Sequence, residues 1–374
     1  MGHIKMIIFQ SLKAFKYFPW SIFFILLGFM TLSGFLLYSA GNLALYPWAA
    51  PQIVRFLIGL VFMILISLVD IRFWLNTANI FYIFSLFLLF IVEIFGFIGM
   101  GAQRWINLGL FNIQPSELMK ISLVLAIARY FHYRSPFELS HIKTYLTPFF
   151  LILAPILLVL KQPDLGTAII ISMVGFFMIF AAGISWRWLI TGFSGFFLFL
   201  PLGWTFLKNY QKNRILTFLN PEKDPLGTGY HIIQSKIALG SGGFWGKGFS
   251  GGTQSQLNFL PEKQTDFIFA MFGEEFGFIG TILLLGAYFF LILYGFRITL
   301  YNSFAFGRFV ALGITSSLFL YVFVNISMVM GLLPVVGVPL PFISYGGTAL
   351  ITLLIGMGLL IGCDLQRYRK QLSL

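Results

Sequence analysis

Leu260-Pro261-Glu262-Lys263-Gln264-Thr265-Asp266-Phe267 is where the one long polar stretch of this chain, residues 208–265, gives way to an apolar run. The octapeptide sets a carboxylate, Asp266, at the mouth of a helix of membrane-spanning length. An ionisable group at that boundary is costly to desolvate unless water, a cation or a substrate keeps it company, so Asp266 is a functional-site candidate from the outset.

On both sides of the polar stretch the chain is apolar. Of 374 residues, 59% are hydrophobic and only 10% charged, which identifies an all-α polytopic membrane protein. Ten runs read as transmembrane helices, at roughly 18–38, 52–69, 73–98, 114–131, 146–160, 166–183, 187–207, 267–296, 308–333 and 342–362. The fourth and fifth are the weakest apolar signals, and the fourth carries Glu117, Lys120 and Arg129. Lys5, Lys13 and Lys16 precede a first run too long for a signal-peptide core, which reads as an uncleaved span. No internal repeat or low-complexity segment is visible, so residues 1–374 form one membrane domain, with 208–265 as a loop subdomain.

Orientation follows from the short connections. The N-terminal tail, Asp70 to Arg72, His132 to Lys143, Trp186-Arg187, Arg297 to Arg308 and the tail Gln366-Arg367-Tyr368-Arg369-Lys370 all fall on one side, and their Lys and Arg make it cytoplasmic. Both termini are then inside, and the loop between spans seven and eight, ending in Asp266, is extracytoplasmic. The net charge of +12 lies mostly in these short loops and tails, which argues against a nucleic-acid partner. Cys363 alone allows no internal disulfide, and His3, His132, His141 and His231 are too scattered for a protein-built zinc site.

Polar residues near the spans supply further candidates. Glu117 and Lys120, at i and i+3, share one helical face; either they neutralise each other in the bundle, or Lys120 faces a cavity and binds an anion while Glu117 orients it. Asp164, in Lys161-Gln162-Pro163-Asp164-Leu165-Gly166, reads as the cap of the sixth span. In the long loop, Asn220 to Gly229 is dense in turn formers, and Tyr230 to Leu239 recovers a helical apolar pattern, as in a folded cap with a helix on the membrane surface. Gly240 to Gly248 is not a nucleotide-binding loop, since Ser241 stands at the first glycine and Gly248 at the Ser/Thr. It is either a hinge or a place where amides approach a phosphate beside Lys247. Arg104, Arg214, Lys236, Lys247 and Lys263 all lie outside in this topology, as a solvated face or as a basic vestibule for an anionic lipid headgroup or pyrophosphate.

Taken in order, Arg104-Trp105-Ile106-Asn107-Leu108-Gly109, Gln114-Pro115-Ser116-Glu117, Gln162-Pro163-Asp164-Leu165-Gly166-Thr167, the loop Asn220 to Asp266, Gly331-Leu332-Leu333-Pro334 and Pro339-Leu340-Pro341-Phe342-Ile343-Ser344-Tyr345-Gly346-Gly347 resemble the SEDS family of cell-wall synthases over nearly the whole chain. Each motif alone is weak; the ordered set is specific. The likeness is to the elongation members rather than the division members, which typically show Thr-Lys-Gly where this chain has Val335-Val336-Gly337, and Glu where it has Asn258.

The resemblance implies polymerisation of lipid II into β-1,4 glycan on the outer face of the cytoplasmic membrane, with release of undecaprenyl pyrophosphate. It implies that Asp266 is the essential aspartate and that Glu117 with Lys120 lines the central cavity. It also implies a class B penicillin-binding protein as transpeptidase partner, within a complex of other elongation membrane proteins. The chemistry is consistent: displacing a pyrophosphate with a sugar 4-hydroxyl needs a base for the proton and cations for the leaving group, and a single displacement inverts the α-linked donor. No cofactor is required, and a divalent cation at the pyrophosphate is compatible, though no dedicated cage for it is apparent. Rival readings are a flippase for lipid-linked precursors, which predicts a polar path through the midplane, and a scaffold, which leaves the carboxylate and the basic vestibule unexplained.

Overall fold

The computed structural model describes residues 15–99, 102–107, 109, 112–206, 209–221, 228–257, 259–260 and 262–372. Lys5 and Lys13, residues 222–227 of the turn-rich stretch and Asn258 lie outside them.

The apolar runs form helices α1 (Trp20–Ala40), α2 (Ala49–Leu68), α3 (Ile71–Phe95), α4 (Pro115–His132), α5 (Leu146–Lys161), α6 (Leu165–Ala181) and α7 (Trp186–Phe206). The polar stretch contributes α8 (Asn209–Leu219), α9 (Thr228–Ser241) and a one-turn helix, Thr253–Gln256. After it come α10 (Ile268–Tyr301), α11 (Ala305–Val329) and α12 (Thr348–Leu372). Among the described residues seven helices are long and apolar enough to cross a membrane: α1, α2, α3, the continuous segment Ile142–Lys161, α10, α11 and α12 up to Gln366. The shorter α6 is also apolar, and α4 is the helix that carries Glu117, Lys120 and Arg129.

Of the boundaries that depart from the expected ones, three do so for evident local reasons. The third helix stops at Phe95 because Gly96 is extended. The ninth ends at Val329, where Gly331 turns left-handed at φ 71° and Leu332 N–H bonds back to the Ser327 carbonyl, a glycine stop. The last begins at Thr348 rather than 342, since Phe342 takes a left-handed φ of 65° and the Tyr345 and Gly346 amides are given to the Gln264 carbonyl and Gln52 Oε1. The molecule is also not all-α. Strands β1 (Phe97–Gly99), β2 (Ala102–Asn107) and β3 (Asn112–Ile113), between α3 and α4, form a three-stranded antiparallel sheet.

Helices α11 and α12 form the centre: 67% and 72% of their apolar windows are buried, against 28–39% for the other long helices. Around α11 stand α10, α4, α6 and α12, while α12 lies along α2. That pair approaches closely; a Cβ on Gly358 would meet the Met63 carbonyl oxygen at 2.6 Å. Instead of resting apart from the bundle, α9 packs on α10 and α11, with Ser235 Oγ donating to the Val329 carbonyl at 2.9 Å.

The loop is joined to the bundle most firmly at a break in α10. Gly277 has φ 65° and ψ −162°, a conformation essentially reserved for glycine. The glycine-rich segment fills the break: Lys247 and Gly248 N–H donate to the carbonyls of Glu274 and Glu275, and Phe278 and Ile279 N–H donate to those of Gly243 and Phe244. A Cβ at Gly277 would run into the Gly246 amide. Gly277→Ala is therefore expected to destabilise by at least about 2 kcal/mol, read as a lowered Tm in detergent, because both the backbone and the space are wrong. Gly286→Ala, in the same helix with open space at its Cβ, is expected to be neutral or slightly stabilising.

Candidate active site

Asp266 sits in a tight turn, residues 262–267, in which Thr265 and Phe267 N–H bond back to the Glu262 carbonyl. Other elements hold its backbone from several sides. Tyr345 N–H donates to the Gln264 carbonyl at 2.8 Å and Ser344 Oγ to that of Thr265 at 2.6 Å. Asn325 Nδ2, from the middle of the molecule on α11, donates to the Asp266 carbonyl at 2.9 Å and to that of Val338 at 2.7 Å. The proline-rich segment before α12 is thus the rear wall of the site, with Gly337 so near that a Cβ there would lie 3.5 Å from Asp266 Oδ2.

The carboxylate is left available. No described residue hydrogen-bonds its oxygens, and part of its surface stays accessible although protein surrounds it on most sides. That burial is the main reason its pKa is pushed up from 3.8 to about 6; Glu262 adds to the rise, while Arg214 and Arg104 pull it back. Arg104, on β2, donates to the Pro163 carbonyl at 2.8 Å and lies 3.7 Å from Asp164. Asp164 caps α6 as its sequence context suggested, accepting from Thr167 N–H and Oγ1 at 3.1 and 2.9 Å, and it also meets Arg104.

Not all the expected basic vestibule forms. Arg104 and Arg214 lie close enough to act on the charge of Asp266. Lys236 lies over Gly331 at the end of α11. Lys263, 4% exposed, turns inward, a correction to its expected exposure, and donates to the Ser255 carbonyl at 2.7 Å, while Lys247 stays exposed and pairs its Nζ with buried Glu274 at 2.8 Å. Buried acceptors compete better for an ammonium than open water does when the geometry is this close. The Gly240 to Gly248 segment is likewise neither hinge nor phosphate cradle, since Lys247 and Gly248 spend their amides on the break in α10.

Glu117 and Lys120 form a second cluster at the start of α4. Lys120 Nζ lies 2.7 Å from Glu117 Oε1, and both side chains are buried. Two residues missed in the sequence complete it: the Tyr321 hydroxyl, 3.0 and 2.9 Å from the two Glu117 oxygens and in contact with Lys120, and Thr352 Oγ1 at 3.4 Å. Together they line a cavity of about 30 Å³, which has room for ordered water but not for a sugar. Also missed was Arg55, a lone cation in the apolar run 52–69, whose guanidinium stacks 5.0 Å over the Tyr345 ring. Lone charges inside apolar runs were the available signal for Arg55, as they were for Glu274 and Glu275.

Two consequences can be measured. Lys120→Met leaves a buried carboxylate unpaired and is expected to lower stability by about 3 kcal/mol, whereas Glu117→Gln/Lys120→Met restores much of it, checked by thermal unfolding. Asp266→Asn is expected to raise Tm at neutral pH. A carboxyl whose folded-state pKa lies above its unfolded value weakens the fold as pH rises from 3.8 through about 6, so the gain should vanish below that window.

Comparison with known proteins places these features in a family context. A sequence model of the FtsW/RodA/SpoVE family, described as cell cycle proteins, matches residues 16–369. The chain is 45% identical over 351 residues to peptidoglycan glycosyltransferase MrdB of Escherichia coli (strain K12), covering 93% of each. It is 42% identical over 315 residues to a probable peptidoglycan glycosyltransferase FtsW of Geobacter sulfurreducens, covering 83% of each. Among solved structures it resembles a chain of a peptidoglycan synthase complex described for its structural coordination of polymerization and crosslinking, at 34% identity and TM-score 0.82, over 94% of this chain and 98% of that one. The rod shape determining protein RodA of Thermus thermophilus matches at 28% identity and TM-score 0.70 with the same coverage.

Proposed function

The chain belongs to the FtsW/RodA/SpoVE family, and from that premise we propose that it is a peptidoglycan glycosyltransferase polymerising lipid II into β-1,4 glycan strands for cell elongation and cell shape. In this reading α1 to α7 and α10 to α12 cross the cytoplasmic membrane, both termini face the cytoplasm, and residues 208–265 form the one large extracytoplasmic loop of a single domain. The observation that carries the site is a carboxylate on a turn whose backbone carbonyls are held by Tyr345, Ser344 and Asn325, with no described hydrogen-bond partner of its own and two arginines acting on its charge.

Asp266 takes the proton from the acceptor sugar's 4-hydroxyl as that oxygen attacks the anomeric carbon of the donor. The bond from that carbon to the pyrophosphate oxygen breaks, its electron pair leaves with undecaprenyl pyrophosphate, and the configuration inverts. Arg104 and Arg214 offset the negative charge on the leaving group, and Lys236 extends the basic surface. A divalent cation on the pyrophosphate would add to the same stabilisation. A base with a pKa of about 6 is mostly ionised at neutral pH yet more basic than an ordinary carboxylate, which suits proton removal. Glu117 and Lys120, with Tyr321, act as a polar floor behind the rear wall. The partner is a class B penicillin-binding protein that crosslinks the strand; the support is the likeness to the synthase complex, whose described work joins polymerization to crosslinking.

The test is to incubate the purified protein, with its transpeptidase partner, and lipid II in detergent, where membrane sides no longer exist and flipping has no meaning. Long glycan strands are expected from the wild type and none from Asp266→Ala or Asp266→Asn with folding intact; strands from both variants would show that another group is the base. The rate is expected to fall about tenfold per pH unit on the acid side of about 6, as the base protonates.

A further inference from the structure

Two acids that this reaction does not use stand side by side on α10, Glu274 at 0% and Glu275 at 1% exposure. Glu274 gathers donors from the end of the extracytoplasmic loop. Its Oε1 accepts from Lys247 Nζ at 2.8 Å, Gln254 N–H at 3.0 Å and Thr253 Oγ1 at 3.3 Å, and Oε2 accepts from Ser255 N–H at 3.2 Å. Gln254 and Ser255 open the one-turn helix Thr253–Gln256, so the carboxylate closes its amino end, where free amides need an acceptor. From the same turn the Ser255 carbonyl accepts Lys263 Nζ at 2.7 Å, and Lys263 is three residues before Asp266. Ser255 is 0% exposed and Lys263 4%. Buried polar groups therefore run without interruption from Glu274 through Ser255 and Lys263 to the turn that carries Asp266. Glu275 ties the neighbouring side of this region to α1 through Ser39, whose carbonyl also accepts from Gln256 Nε2 at 3.2 Å.

We propose that Glu274 is a positioning residue for Asp266: its carboxylate, acting through Ser255 and Lys263, sets where the 262–267 turn holds the base and keeps bulk water from entering beneath it. This rests on the reading of Asp266 as the base. Charge-assisted bonds to several donors hold a loop more tightly than neutral ones, and displacement of a reacting group by about 1 Å is enough to slow catalysis about a hundredfold. The groups facing Asp266 are Glu262 on its own turn, Arg214 on α8, Arg104 on β2 and Asp164 at the start of α6; none belongs to the Glu274 clamp. Removing the clamp leaves those charges in place and changes the burial, which is the largest influence on Asp266.

The experiment uses the purified full chain with its transpeptidase partner and lipid II in detergent, comparing wild type, Glu274→Ala, Glu274→Gln and Asp266→Asn by kcat, KM, Tm and the acid limb of the pH profile. Glu274→Ala is expected to lower kcat by about tenfold or more with KM within about twofold, and to move the acid limb down by about half a pH unit or more as water reaches Asp266. Glu274→Gln, which keeps one acceptor oxygen for the Gln254 amide but turns an NH2 toward the Ser255 amide, is expected to recover part of the rate. Should Glu274→Ala fail to fold, Lys263→Met interrupts the same chain at its other end without touching α10, and the same downward limb shift is expected. A loss of rate that merely follows the loss of folded protein, with the limb unmoved in the variant that folds, overturns the proposal. Retained activity in Asp266→Asn overturns the base assignment and this inference with it; an inactive Asp266→Asn beside an unmoved limb in Glu274→Ala overturns this inference alone.

Discussion

Backbone groups inside an apolar bundle must find partners within the protein, and the break in α10 at Gly277 is where that constraint organises the molecule. An unbroken helix would satisfy itself and leave the preceding loop to find its own place. Because the helix is broken, the carbonyls of Glu274 and Glu275 and the amides of Phe278 and Ile279 need outside partners, and residues 243–248 supply all four. The glycines of that segment let the two backbones meet. What looks in the sequence like flexible composition is, in the fold, a rigid joint.

Once the joint is made, the rest of the loop has little freedom. Lys247 is brought to Glu274, Glu274 closes the one-turn helix 253–256, and Lys263 ties that helix to the turn bearing Asp266. From the other side Asn325, Ser344 and Tyr345 hold the same turn by its carbonyls. The side chain of Asp266 is thereby fixed without being consumed. The proposed role as a base needs that combination: such a group must be ordered, since misplacement slows the reaction, and unpaired, since strong hydrogen bonds would lower its basicity.

Charges divide in the same way between structure and chemistry. Lys247 and Lys263 are spent on buried acceptors, and Glu117 with Lys120 is locked by Tyr321. Arg104 and Arg214 act on Asp266 while remaining at the site. A guanidinium suits the dual task, since Arg104 can donate to a carbonyl, face Asp164 and still have donors left.

Apolar periodicity and length were enough to foresee a mostly helical chain with several helices long enough to cross a membrane, because burying or lipid-coating apolar surface is a local demand that every run states for itself. Asp266 was legible for the complementary reason: a carboxylate at the end of an apolar run is conspicuous, and the motif succession around it is specific. Local rules also explain Asp164 at the α6 cap and the pairing of Glu117 with Lys120 three residues on. The small three-stranded sheet between α3 and α4, the burial of Lys263, the pairing of Lys247 with Glu274 and the partnership of Tyr321 with Glu117 across 204 positions were not legible, since each depends on what arrives from a distant part of the chain. The sequence by itself determined the mostly helical membrane class and singled out the carboxylate proposed as the base. Only the tertiary structure decided which cations face that acid and which are used to hold it, because a lysine's partner is chosen by proximity and burial, and neither is written in its neighbours.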